Sequence, residues 1–254
     1  MNANSTKNAS KSLTSGFQKI LFWILFVVFI MVIVYIIYYA WTKSQEKKDN
    51  EPIIVSDIID ANIARPGKSV PTPSDGMAQS MSTWVYVKSW DYGFGKYKNI
   101  LWKGDQTAPR HSPSLWLYPL TNNLKVLTST NSVEGVESCD INNIPLMKWV
   151  HICYVLNNRT VDVYINGKLE RSCALKGIPV IKQDNVFITA GSSTDAGLPG
   201  FDGKIGKTQY FTRAVLPHEV ANLYNSGPIG ASQYDIQFFQ DGKFVQVKDS
   251  TGFS

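Results

Sequence analysis

The sequence predicts an all-β sandwich carried on a single transmembrane α-helix. Three observations predict it. Residues 20–41 (ILFWILFVVFIMVIVYIIYYAW) run for 22 positions without a charge, an amide, a proline or a glycine. From residue 80 onward the chain is a succession of short aromatic and β-branched runs broken by Gly, Pro, Asn and Asp. Within that succession, residues 147–174 (MKWVHICYVLNNRTVDVYINGKLERSCA) alternate and turn as consecutive hairpins do. Many short strands at such spacing make a sandwich.

The apolar run comes first. Lipid offers the backbone no hydrogen-bond partners, so a spanning segment closes them internally as a helix. At about 1.5 Å per residue the run reaches roughly 33 Å, enough for a hydrocarbon core of about 30 Å. Lys19 and Lys43 bracket it. Phe22 and Trp23 stand near one end and Tyr35, Tyr38, Tyr39 and Trp41 near the other, where amphipathic rings meet headgroups. A cleaved signal peptide fits poorly, because the run exceeds the usual apolar length of about 7–15 and Tyr38-Tyr39-Ala40 lacks the small residue that cleavage needs. The expectation is an uncleaved signal anchor. Lys7, Lys11 and Lys19 before it balance Lys43, Lys47 and Lys48 after it, so the positive-inside count is a tie. The mass on the C-terminal side, with its cysteines and a sequon, points to the N-terminus inside and the domain outside.

Residues 1–19, rich in Asn, Ser, Thr and Lys, read as a disordered tail. Residues 42–51 (TKSQEKKDNE) read as a charged stalk, 52–229 as the sandwich domain and 230–254 as a C-terminal hairpin extension. IIVSDII at 53–59 is β-branched and short, hence a strand. Residues 64–76 (ARPGKSVPTPSDG) are loop punctuation. Strands are expected at 81–88, 99–103, 114–118, 124–129, 134–140, 147–156, 160–166, 168–174, 185–190 and 203–212. A helix is expected over 217–224, with Pro217 in its first turn and Gly227 beyond its end. In the extension, Asp241-Gly242 between QFFQ and KFVQV is a two-residue hairpin signal.

Alternation places Trp149, His151, Cys153 and Val155 on one face, and Val150, Ile152, Tyr154 and Leu156 on the other. Both faces are largely apolar, as in a central strand covered on two sides. Asn157-Asn158 and Asn166-Gly167 supply residues that tolerate positive φ at tight turns. The net charge of +5 is spread thinly, with no basic block beyond Lys47-Lys48, so nucleic acid is not an expected partner.

These blocks resemble a family. WVHICYV followed by RTVDVYINGKL is similar to the middle of concanavalin A-like (laminin G-like, pentraxin-like) lectin domains. Residues 201–205 (FDGKI) with 209–220 (QYFTRAVLPHEV) resemble the family's closing strand, turn and short helix, and MSTWVY at 81–86 its opening strand. The resemblance covers roughly 78–228 and implies a jelly-roll of two antiparallel sheets. The wording SPSLWL, NNIPLMKW and NNRTVDVYINGKL also looks like membrane-anchored members in large DNA viruses, which implies a virion membrane. The family makes calcium a possible cofactor, yet Gly206-Lys207 stand where members often carry acidic residues. Pentraxin-like members also pair the H-x-C cysteine with one in the opening strand, and 81–88 holds none.

Glycoside hydrolases of this fold need two carboxylates flanking the sugar bond, about 5–9 Å apart. No E-x-D-x-x-E occurs, and His111, His151 and His218 have no metal-ligand spacing. No catalytic residue, no resident metal and no enzyme activity are expected. Cys139 and Cys173 end strands on either side of the central hairpin, each leading to an Ile-Pro connection, and are the better disulfide candidates. Cys153 reads as a small buried hydrophobe. Three free thiols in a reducing compartment remain the alternative. Loop 89–98 offers Trp90, Tyr92 and Tyr97, and loop 103–113 offers Asp105, Arg110 and His111, as candidate ligand-binding residues for a glycan or a protein. Sequons stand at Asn4, Asn8 and Asn158, the last in a hairpin turn. The expected function is a bilayer-anchored recognition domain that binds glycan or protein without catalysis. A structural role in a virion shell is the alternative, and a degenerate glycosidase a distant third.

Overall fold

The computed structural model describes residues 3–73, 77–104, 111–182, 184–189, 200–229, 237–240 and 243–246. Helix α1 (Ala3–Asn50) is one continuous element of 48 residues. Residues 3–19, expected to be disordered, are therefore helical, as are residues 42–50 of the expected stalk. Once a helix is nucleated each further residue adds a hydrogen bond at little cost, and this stretch contains no proline to stop it. The part from Leu21 to Asn50 is long and apolar enough to cross a membrane. Every residue from Leu21 to Trp41 is exposed.

The remaining strands are β1 (Ile53–Val55), β2 (Ile59–Asp60), β3 (Lys68–Ser69), β4 (Ala78–Ser89), β5 (Lys98–Gly104), β6 (His111–Leu117), β7 (Leu124–Ser129) and β8 (Val136–Ser138). They continue with β9 (Trp149–Asn157), β10 (Thr160–Ile165), β11 (Lys168–Ala174), β12 (Asn185–Ile188), β13 (Asp202–Ile205) and β14 (Thr208–Phe211). After α2 (Pro217–Asn225) come β15 (Gln237–Gln240) and β16 (Lys243–Gln246). Among the described residues, one sheet has the order β1-β14-β4-β9-β10-β11, with β13 pairing both β4 and β2. The second has the order β3-β12-β5-β6-β7-β8. Every pairing within them is antiparallel. The fold is thus the expected two-sheet sandwich.

Three expectations need correction. IIVSDII is two strands, because a bend at Ser56-Asp57, held by Ser56 Oγ donating to Asp57 Oδ2 at 2.9 Å, redirects the chain from β14 to β13. The run 203–212 is also two strands. Ile205 faces Val85 and Gln209 faces Ser82, so four steps along one strand span three along β4. That extra residue is a bulge at Gly206-Lys207, where Gly206 N–H bonds Trp84 O and Lys207 N–H bonds Pro228 O. A Cβ at Gly206 would stand 2.6 Å from Pro228 O, so glycine is what fits. The stretch 64–76, expected to be loop throughout, contributes β3 to the edge of β12. At the other end of the chain β15 pairs with β16, placing Gln240 opposite Lys243. The two turn residues, 241–242, lie outside the described residues.

The core lies between the sheets. From β9, Val150, Ile152, Tyr154 and Leu156 enter it, against Leu101, Leu115, Leu117, Leu124 and Val126 of the opposite sheet. The other face of β9 gives Cys153 and Val155 to a smaller cluster with Tyr164, Phe211, Val215 and Val220, where α2 covers the outer surface of the larger sheet. The alternation read from sequence is the alternation found. The turn before α2 is tied down by Ser80 Oγ, which donates to Arg213 O and accepts from Val215 N–H. Arg213 in turn grips the carboxylates of Glu219 (2.7 Å) and Glu51 (2.8 Å). The Arg213 guanidinium holds the Glu219 carboxyl at about 2.

Cys139, just past β8, is bonded to Cys173 in β11, with Cα atoms 5.9 Å apart. The bridge joins an edge of one sheet to an edge of the other, and Cys153 is free and buried. Nearby, Glu137 accepts from Lys176 N–H, Gly177 N–H and Thr130 Oγ1, pinning the connection that leaves β11. By loop entropy a bridge spanning 34 positions contributes about 4 kcal/mol. Reduction, or Cys139→Ser, is therefore expected to lower the melting temperature by on the order of 10 °C. Non-reducing peptide mapping should recover Cys139 joined to Cys173, and a fragment joined through Cys153 would contradict the pairing.

His151 is fully buried on the α2 side of β9. Its Nε2 lies 2.9 Å from Ser82 Oγ, its ring packs 5.1 Å from Trp84, and Nδ1 has no partner. Burial, reinforced by the charge of Lys207, lowers its pKa from 6.5 to about 3, so the ring stays neutral. The unfolded chain then binds one more proton than the folded chain below pH 6.5. This stabilisation is complete above that value and is lost as pH falls toward 3. Between pH 7 and pH 5, above most carboxylate titration, urea denaturation should report a loss of about 2 kcal/mol.

Candidate functional site

Covering decides where a site can lie. The outer surface of the larger sheet carries α2. Among the described residues, the segment around Gly67 covers one end of the outer surface of the smaller sheet. There Trp102 stacks on Phe187, with ring centroids 4.3 Å apart, and a side chain at Gly67 would collide with the Phe187 ring. Thr189 Oγ1 donates to Ile63 O at 2.6 Å and holds that covering segment down.

At the other end of the same surface lies a pocket of about 240 Å³, lined by Tyr97, Trp116, Lys125 and Leu127. The ladder explains why these residues meet. In β6, Leu115 and Leu117 point into the core, so Ser114 and Trp116 point outward. Trp116 faces Lys125 of β7 on one side and Asn99 of β5 on the other, and Ser114 faces Leu127. Side chains directly opposite share a face, so Asn99, Trp116 and Lys125 form one row. The indole N–H of Trp116 donates to Ser114 Oγ and fixes the ring. Asn99 is buried with neither its amide nitrogen nor its amide oxygen partnered.

Two tyrosines close the pocket rim. The rings of Tyr97 and Tyr118 lie 5.5 Å apart, and Lys125 Nζ sits over both, 5.8 Å and 5.4 Å from their centroids. Tyr118 OH donates to Asp140 Oδ2 at 2.5 Å. That bond, together with burial and the Asp140 charge, pushes the phenol up to about 12.

The sequence-predicted candidates divide. Tyr97 lines the pocket. Trp90 instead turns inward: it packs on the core, its indole N–H donates to Pro119 O at 3.3 Å, and Lys98 Nζ lies 4.6 Å over its ring. A large ring beside a buried ammonium closes that end of the sandwich rather than meeting a ligand. Tyr92 is exposed in the turn between β4 and β5, away from the pocket lining. Asp105 and Arg110 lie outside the described residues. The backbone of His111 begins β6, opposite Gly104. Asn158 is exposed in the β9–β10 turn with φ 53°. Trp116, Lys125 and Tyr118 lie outside the two loops whose composition suggested a site. The strict alternation of SLWL against LKVL carried the signal, since it puts Trp116 and Lys125 opposite the core-facing leucines.

For calcium the fit is poor. Among the described residues no three His, Cys, Asp or Glu side chains group together, and Lys207 occupies the bulge where acidic ligands would serve.

A laminin G-type family model, described as the concanavalin A-like lectin/glucanases superfamily, matches residues 60–221. No curated protein sequence matches the chain. Among solved structures, the binding domain of botulinum neurotoxin serotype D is similar at a TM-score of 0.49 and 14% identity, covering 69% of this chain and 46% of that one. The serotype G binding domain gives 0.49 and 16%, covering 68% and 45%. A tryptophan-to-alanine mutant described as HCR/D gives 0.50 and 14%, covering 69% and 45%. The chain thus spans less than half of each of these structures, and at such identity the likeness concerns the fold. With the family match running from β2 into α2 across both sheets, the chain belongs to the concanavalin A-like lectin/glucanases superfamily.

Proposed function

We propose that this chain is a membrane-anchored recognition protein whose sandwich binds a glycan, without catalysis, in the pocket between Tyr97 and Trp116. The observation that carries the reading is the pocket itself: an open surface lined by Tyr97, Trp116 and Leu127, with the Lys125 ammonium over the tyrosine rings at its rim. A sugar ring offers apolar C–H faces to aromatic planes and hydroxyls to a donor at the rim. The superfamily holds both lectins and glucanases, and what separates them is the paired carboxylate that hydrolysis requires. None of the four lining residues is a carboxylate, and nearby Asp140 is occupied by the Tyr118 hydroxyl. A protein partner reached through the exposed Tyr92 turn is the other outcome a binding screen would reveal.

The anchor reading rests on the exposed apolar helix, which lipid would cover. The bridge between Cys139 and Cys173 favours an oxidising compartment for the sandwich, hence the N-terminus inside and the domain outside. Asn158, exposed on a turn, is then open to glycosylation.

The full chain, reconstituted in nanodiscs and probed on a glycan array, is expected to show saturable binding that free sugar competes. Trp116→Ala should weaken it by about 2 kcal/mol, roughly thirtyfold. Tyr97→Ala, at a less buried position, should weaken it too while leaving the melting temperature near that of the parent. Absence of any saturable glycan, or unchanged binding by both variants, would sink the proposal.

A further inference from the structure

We propose that the pocket selects a sugar carrying an anionic group, a carboxylate or a sulfate, and that Lys125 is the residue that reads it. This rests on the glycan reading above and adds the chemical class of the ligand. Lys125 brings the formal charge among the four lining residues, and that charge is positive. Its stem lies half-buried along β7, facing Trp116 across the ladder. Among the described residues its ammonium makes no ion pair and no hydrogen bond, and it sits over the faces of Tyr97 and Tyr118.

Two tyrosine faces attract a cation but leave its N–H donors unused. They also hold a flexible side chain in one place before a ligand arrives, which reduces the ordering cost on binding. A neutral sugar would strip water from this ammonium and return only hydroxyl contacts. An anionic substituent would return a charge-assisted hydrogen bond, roughly twice as strong.

The neighbouring charges leave this flank net positive. Asp140 remains a carboxylate anion, its Oδ2 accepting from the Tyr118 hydroxyl and its Oδ1 buried, and Lys125 with Arg171 outnumber it. Tyr118, donating to that carboxylate, stays neutral through the physiological range. Arg171 donates from Nη1 to Asp140 O at 2.7 Å, which adds a second positive group on the same flank.

The test compares matched glycans on the full chain in nanodiscs: uronic-acid oligosaccharides against their carboxyl-reduced forms, and sulfated ones against desulfated. Wild type is expected to prefer the acidic member of a pair by about tenfold or more, and the preference should shrink as sodium chloride is raised. Lys125→Met should lose the preference, so that the two members of a pair bind alike, and Lys125→Arg should retain it, while Trp116→Ala should lower binding of both. A thermal melt of Lys125→Met close to wild type excludes misfolding as the cause. Equal binding of both members by wild type overturns this inference alone. If neither member of any pair binds, the glycan reading falls and this inference falls with it. Retention of the preference by Lys125→Met would assign the selectivity elsewhere and overturn the role given to this lysine.

Discussion

The double burial of β9 is the constraint on which the rest of the sandwich depends. A strand exposes its side chains alternately, so one that is covered on both sides must be apolar on both. Val150, Ile152, Tyr154 and Leu156 meet the opposite sheet, while Cys153 and Val155 require a second cover, which α2 supplies. That cover explains several local features at once. Pro217 starts the helix, Leu216 N–H is satisfied by Glu219, and Arg213 ties Glu219 to Glu51 at the start of the domain. It also explains the free thiol. Cys153 sits wholly inside this second layer, where burial pushes its pKa up and keeps it protonated and inert.

Polar groups enter the interior only with partners, and the exceptions are informative. Tyr210 OH donates to Gln79 Oε1, whose Nε2 donates to Ser112 O, and the Tyr154 hydroxyl meets Thr128 Oγ1 at 3.1 Å. The Gln79–Ser112 and Tyr154–Thr128 contacts cross between the sheets and fix their register, since a one-residue slip would strand both. Lys103 joins the same region, its ammonium donating to Lys182 O at 2.5 Å and lying 5.6 Å over the Tyr210 ring. Burial, opposed only by Asp184, lowers its pKa to about 8. Asn99, by contrast, has no such network, and it faces outward beside Trp116.

What was legible in the sequence follows from the range of the interactions involved. The β9–β10–β11 hairpins are local: alternation and Asn-Gly turn chemistry specify them within thirty residues or so, and strands and turns fall where expected. The bridge was legible because its cysteines flank that same local unit. The bulge at Gly206-Lys207 was not, because it answers to Trp84 and Pro228, contacts that no local pattern announces. The helical state of residues 3–19 was hidden for another reason. Their composition disfavours independent order, but they continue a helix that the apolar run nucleates. The pocket was half legible. Tyr97 was visible as an aromatic in a Gly-rich loop, whereas Trp116 and Lys125 looked like ordinary strand residues until the pairing of β6 with β7 placed them side by side.

Why a site should form there, and not on the aromatic loop, comes down to which surfaces of the sandwich need no cover. A strand face rich in large side chains must be shielded by something, and this fold spends its cover unevenly. One outer face receives a helix. Among the described residues, the other receives the short segment around Gly67 and β3, which reaches Phe187 and the edge of β12. Beyond it Trp116 is shielded by its own neighbours, Ser114, Lys125 and Tyr97, and the space between them stays open. In the loop the opposite holds, since Trp90 and Lys98 are drawn inward to close the end of the core, leaving Tyr92 and Phe94 at the surface. Aromatic residues alone therefore do not mark the site. In the pocket they coincide with an ammonium that, among the described residues, makes no ion pair.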